Sequence, residues 1–139
     1  MKDNNTNNNK YSINRYPKTR NQSLQAWSAA DEYLLTEFDS LNLENPSMAI
    51  INDRFGFLSC HLHTFSPTII LNYKSQEKAI IQNIESNGLN FSKLNFISPL
   101  QSLPNRIDVS IIKIPKSMKP EAQELQNKVS RYKLEAFSV

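Results

Sequence analysis

Four short apolar runs rich in β-branched residues constrain this chain more than any other feature. They are MAIIN at Met48–Asn52, TIILN at Thr68–Asn72, KLNFI at Lys93–Ile97 and DVSIIKI at Asp108–Ile114. Three of them are nearly continuous in apolar character, the pattern of strands buried on both faces. Helical patterns alternate with them. SLQAWSAADEYLLTEFDSLNL, starting at Ser23, carries Leu24, Trp27, Leu34, Phe38 and Leu41 at spacings of three, four and seven. GFLSCHLHTF predicts a short helix. SQEKAIIQNIESNG places Ala79, Ile80, Ile81 and Ile84 on one side, with Gly88 where a helix ends. SMKPEAQELQNKVSRY sets Met118, Ala122, Leu125 and Val129 on one stripe. Strands alternating with helices imply right-handed βαβ units, so the predicted class is α/β with a mostly parallel sheet of about four strands. The proline-containing link SPLQSLPNRI reads as a loop. The tail KLEAFSV is short for another βαβ unit, so the sheet is predicted to be incomplete. An exposed edge on its last strand would then favour self-association.

Of the 139 residues, the first ten are Asn-rich and nearly free of apolar side chains. Residues 1–13 are expected to form a disordered tail and 14–139 one domain. No apolar run of membrane-spanning length occurs and the N-terminus lacks a signal-peptide core, which predicts a cytoplasmic protein. Cys60 is the single cysteine, so no disulfide closes within the chain. A net charge of +3 permits contact with nucleic acid without requiring it.

The loop after the first strand reads Asn52-Asp53-Arg54-Phe55-Gly56-Phe57. Doubly wound sheets bind ligands at the carboxyl ends of their central strands, where glycines let the backbone approach the ligand. Only Gly56 suits that role; Arg54, Phe55 and Phe57 are expected to crowd the space. The second strand ends in Asn72-Tyr73 rather than a carboxylate for a ribose hydroxyl. The fourth ends in IKIPKS, Ile112–Ser117, with no acid, base or nucleophile arrangement. The loop is therefore predicted to be degenerate, holding no cofactor and no catalytic residue. An α/β domain that never had such a ligand fits the same pattern.

Cys60, His61 and His63 are too close in sequence to converge on one tetrahedral metal. Cys60 is expected in the core and both histidines at partly exposed helix positions. Asp31 and Glu32 are adjacent on a helix and cannot face each other; a solvated face or a helix–loop contact is expected instead. Trp27 and Tyr33 are candidates to stack on a base, but aromatics on an apolar helical stripe more often belong to the core, where both are expected. Arg15, Lys18, Arg20, Lys113 and Lys116 are candidates for an RNA phosphate footprint, against the alternative of scattered surface charge.

RYP at Arg15–Pro17, LQAWSAADEYLL at Leu24–Leu35, INDRFGFLSC at Ile51–Cys60 and IKIPKS together resemble the N-terminal domain of bacterial large-subunit ribosomal RNA guanine-N2 methyltransferases. The match runs from about Asn14 to Val129. The resemblance implies a Rossmann-like methyltransferase fold, here truncated, from an enzyme built of two such copies. Its C-terminal copy carries the S-adenosylmethionine loop and an Asn-Pro-Pro-Phe motif; its N-terminal copy is degenerate and supports substrate recognition. Lys113 stands near the catalytic copy's Asn, and Pro115 keeps one proline, but the motif itself is missing. On this resemblance the chain is a non-catalytic recognition or scaffold domain, inactive alone. Its partners would be ribosomal RNA and a catalytic C-terminal domain missing from this chain, and S-adenosylmethionine would serve the complete enzyme only. A truncated frame or a split gene would account for the short chain. A free-standing RNA- or protein-interaction module is the alternative.

Overall fold

A computed structural model of the chain describes residues 11–15, 26–71, 73–98, 106–114 and 130–137. Its elements are α1 (Ala29–Leu41), β1 (Met48–Ile51), α2 (Phe57–His61), β2 (Thr68–Ile70), α3 (Lys74–Ser86), β3 (Asn95–Ile97), β4 (Ile107–Ile114) and β5 (Ser130–Phe137). Single 3-10 turns at His63–Phe65 and Phe91–Lys93 precede β2 and β3. All strand pairs are parallel, in the order β3-β2-β1-β4-β5. The α/β expectation holds, and each apolar run supplies a strand.

The strand count does not. Among the described residues the sheet has five strands rather than about four, and β5 pairs with β4 from Ile107↔Ser130 to Ile114↔Phe137. The edge of β4 expected to lie bare is thus occupied. Ser130–Tyr132, assigned from the sequence to a final helix, begin this strand; the rest of that helical pattern lies outside the described residues. Tyr132, Leu134 and Ala136 pack on the core while Lys133 and Glu135 face water. That charged outer row, with a 3.5 Å Lys133–Glu135 pair, is how natural edge strands discourage further pairing.

One face of the sheet meets the helices. Ile50, Ile69, Val109 and Ile111 pack there with Leu34, Leu35 and Phe38 of α1, Leu58 of α2 and Ile80 and Ile84 of α3. Ala49, Ile51, Ile70, Ile107 and Ile112 form a separate cluster. Alternation along each strand divides its side chains between two faces, and both sides being apolar explains why the runs look continuous. Asn83 of α3 and Asn87, which caps its C-terminus, fasten the N-terminal segment. Asn83 bonds both backbone groups of Asn14 at 3.0 and 2.9 Å, and Asn87 does the same to Ser12 at 2.9 Å each. Tyr11 to Ile13, which composition assigns to the tail, are therefore held against the domain, with Ile13 in the core.

Candidate functional site

In a sheet of this order the chain reverses direction between β1 and β4, and the carboxyl ends of these strands frame the usual ligand crevice. Asn52 leaves β1 with φ 67°, a left-handed conformation that asparagine tolerates better than most residues. Its Nδ2 donates to the Lys113 carbonyl at 2.9 Å, and its Oδ1 accepts from Gln76 Nε2 at 3.3 Å. One side chain thus links the ends of β1 and β4 to α3.

Asp53 turns inward and is 1% exposed. Its Oδ2 accepts from the Ser59 N–H at 2.8 Å and the Ser59 hydroxyl at 2.6 Å, and its Oδ1 from the Leu58 N–H at 3.4 Å. These amides open α2. First-turn amides point out of a helix without intrahelical partners, which is why they attract anions in ligand-binding sheets. Here the chain's own carboxylate takes them.

A second buried carboxylate stands beside it. Lys113 Nζ lies 2.9 Å from Asp31 Oδ1 and 3.1 Å from Oδ2, with both side chains buried. Asp31 Oδ2 also accepts from the Ser28 N–H at 2.9 Å, so it fastens the start of α1 as well as the end of β4. Burial pushes the Asp53 carboxyl above its ordinary range, and the Asp31 charge adds to this; the Ser59 bonds and the Lys113 ammonium act in the opposite direction.

Several expectations change accordingly. Lys113 is not part of an exposed phosphate footprint, because its ammonium is consumed inside by Asp31. Asp31 is not on a solvated face. Phe55 and Phe57 do not crowd the crevice: both are in the core, 6% and 1% exposed. Gly56, at φ 98°, serves the fold. A Cβ there would stand 3.3 Å from the Ile80 Cα, so the residue lets the loop pass close to α3. Trp27 stacks on Phe57 at 6.0 Å and donates to Glu32 at 3.0 Å, but Tyr33, expected in the core, is exposed. Cys60 is buried, and its thiol is pushed up to about 12 by burial and then by Asp53. Both histidines are half-buried: His61 between Tyr11 and Phe57, and His63 bonded through Nδ1 to the Cys60 carbonyl at 2.9 Å.

Of the expected cationic footprint, Arg15 lies with its guanidinium 5.0 Å from the Phe55 ring. The exposed Arg54, which the sequence placed only in the loop, lies 4.9 Å from the same ring. The bonds from Asn83 to Asn14 and to the Phe55 carbonyl (2.7 Å) bring these segments together. Lys18, Arg20 and Lys116 lie outside the described residues, as does Asn72.

The other half of the carboxyl side is open. A cavity of about 260 Å³ lies where β2 and β3 end against the start of α3, between Leu71, Tyr73, Phe96 and Ile97. Among the described residues no group of three His, Cys, Asp or Glu is placed to hold a metal ion, and no helix is long and apolar enough to cross a membrane.

Residues 1–132 match the family model described as the RLMG N-terminal domain. The ribosomal RNA large subunit methyltransferase G of Psychromonas ingrahamii is 33% identical over 119 residues, which cover 82% of this chain and 31% of that protein. Its Serratia proteamaculans counterpart is 35% identical over 115 residues, 82% of this chain and 30% of that protein. The chain therefore spans about a third of these relatives' length. Among solved structures, Thermoplasma acidophilum 1320 superposes with a TM-score of 0.62 at 16% identity, over 84% of this chain and 65% of that one. The glycopeptide N-methyltransferase MtfA does so with a TM-score of 0.56 at 9% identity, over 74% of this chain and 48% of that one. Likeness at these identities concerns the fold.

Proposed function

The chain belongs to the RLMG N-terminal domain family, and from that premise we propose that it is the non-catalytic, RNA-recognising part of a cytoplasmic large-subunit ribosomal RNA guanine-N2 methyltransferase. S-adenosylmethionine serves that enzyme through another part of its length. The curated relatives' names support ribosomal RNA as the substrate, and the chain's share of their length leaves room for a separate catalytic part.

The observation that carries the non-catalytic reading is Asp53. A methyl donor or nucleotide at the end of β1 presents a carboxylate or phosphate to the amides of the next helix. In this chain those amides and the Ser59 hydroxyl are bonded to Asp53, and the side chain of Asn52 bridges the ends of β1 and β4. An incoming anion would have to displace a buried carboxylate from its donors. The residues present do not fit S-adenosylmethionine, and no step of methyl transfer is assigned to them.

RNA contact is assigned to the side of the loop that carries Arg54 and Arg15. Two guanidiniums beside one aromatic ring offer planar donors suited to phosphate oxygens, on a chain of net charge +3. Isothermal calorimetry of the chain with S-adenosylmethionine tests the non-catalytic reading. The expected trace is flat at micromolar concentrations; saturable micromolar binding sinks it.

A further inference from the structure

We propose that the cavity at the ends of β2 and β3 seats one unstacked nucleobase of single-stranded RNA, with Tyr73 as its stacking surface. This deepens the reading above and rests on it, since RNA is the partner assumed. Tyr73 is 67% exposed, although large aromatic side chains usually leave water. It sits immediately before α3, where its backbone N–H donates to Gln76 Oε1 at 3.3 Å, so the main chain beneath the ring is tied down. Phe96 adds a second, half-buried ring, and Leu71 and Ile97 add apolar surface. Flat aromatic walls with an apolar base are what an unpaired base needs, because every base has a π-face to offer.

Size argues for a base rather than a whole cofactor. At about 260 Å³ the cavity is below the roughly 300 Å³ at which sites for drug-sized ligands begin. The lining also carries the polar side chains of Lys74, Glu77 and Ser98. Lys74 reaches Glu77 at 3.3 Å with its ammonium largely in water, and Ser98 completes the rim. An exposed cation beside an aromatic slot suits a polymer whose neighbouring phosphates supply the remaining affinity. A free nucleoside lacks that contribution and needs more complete enclosure.

Fluorescence anisotropy with the full chain separates the cases. The probes are a short labelled single-stranded RNA of mixed sequence and an abasic ribose-phosphate chain of equal length. Tyr73→Ala should weaken RNA binding about tenfold, the scale of one lost base stack. Tyr73→Trp should keep the affinity, because it keeps a stacking face. Tyr33→Ala, an exposed tyrosine elsewhere, should change nothing, and the abasic chain should not distinguish Tyr73→Ala from the parent. Equal RNA affinity for the parent and Tyr73→Ala overturns the base seat while leaving RNA recognition intact. Micromolar adenosine or S-adenosylmethionine that quenches Tyr73 and displaces RNA overturns it in favour of a mononucleotide site. No RNA binding by the parent chain overturns both the seat and the RNA-recognition role it rests on.

Discussion

The two halves of the carboxyl side of this sheet are built on opposite principles. At the ends of β1 and β4, polar side chains are bonded within the chain: half-buried Asn52 to the Lys113 backbone, and the buried pairs Asp53 to Ser59 and Lys113 to Asp31. At the ends of β2 and β3, aromatic and aliphatic side chains surround an open cavity with an exposed ion pair at its rim. Both lie at strand ends of one parallel sheet, so topology alone does not decide whether such a position is a site. What differs is what fills the strand ends. Where bonded polar and charged side chains fill the space, the crevice is part of the core; where aromatic and aliphatic side chains leave it open, surface remains for a partner. Substitutions at the first end should therefore cost stability, and those at the second should cost binding.

The largest effect is expected at Lys113. Lys113→Met leaves Asp31 buried without its cation, which typically costs about 3–5 kcal/mol. Urea denaturation followed by circular dichroism should show a lowered midpoint at unchanged slope. Adding Asp31→Leu should recover most of the loss, since an apolar pair can replace a buried ion pair. A single variant as stable as the parent would mean that this end is not held together by charge.

Gly56→Ala should come next. It forces a Cβ to within 3.3 Å of the Ile80 backbone at a φ of 98°, a conformation that costs about 1–3 kcal/mol outside glycine. The same denaturation experiment reads it. A neutral result would show that the loop can move off α3, and the β1 end would then be softer than its hydrogen bonds indicate.

The apolar runs and the first and third helices are legible in the sequence because periodicity reports burial, and burial decides those elements. β5 is obscure there because a single strand needs no helix-length signal. Its mark is the alternation of Tyr132, Lys133, Leu134, Glu135 and Ala136, apolar toward the core and charged toward water. The Asp31–Lys113 pair is not legible at all, since 82 residues separate its members and only the fold brings them together. The loop at Asn52–Phe57 is half legible. Its departure from a glycine-rich pattern is written in the sequence. That Asp53 takes the helix amides while the phenylalanines turn inward depends on where the core lies.

Asp53 should leave a smaller, pH-dependent mark. Its folded-state pKa is raised above the ordinary 3.8, so the folded chain keeps a proton that the unfolded chain releases. Stability from this group is therefore fully present at acidic pH and declines as pH rises from about that value through the folded pKa. Asp53→Asn cannot titrate. The parent's stability relative to this variant should fall as pH is raised above about 4, by up to about 1.4 kcal/mol per pH unit until the folded carboxyl has itself ionised. Asp39, whose pKa is also raised by burial, is common to both chains and cancels in the difference. Denaturation midpoints of both chains, followed from about pH 3 to about pH 8, supply the curve. A difference that rises with pH would reverse the assignment and make Asp53 a carboxylate stabilised as the anion.

The smallest effect is expected at the open end, at Lys74. Its ammonium is exposed on an 83% accessible side chain and pairs with Glu77 across one helical turn at 3.3 Å. Exposed pairs at this spacing contribute about 0.3–0.5 kcal/mol, screened further by salt. Lys74→Ala should change the unfolding free energy by less than about 0.5 kcal/mol, and high salt should remove even that. The same substitution should weaken RNA binding and flatten its salt dependence by about one unit of slope, because one phosphate contact is lost. Stability that barely moves together with affinity that does is the reverse of the pattern at Lys113. If Lys74→Ala unfolded the chain, the ion pair at the rim would belong to the core, and the contrast between the two ends would disappear.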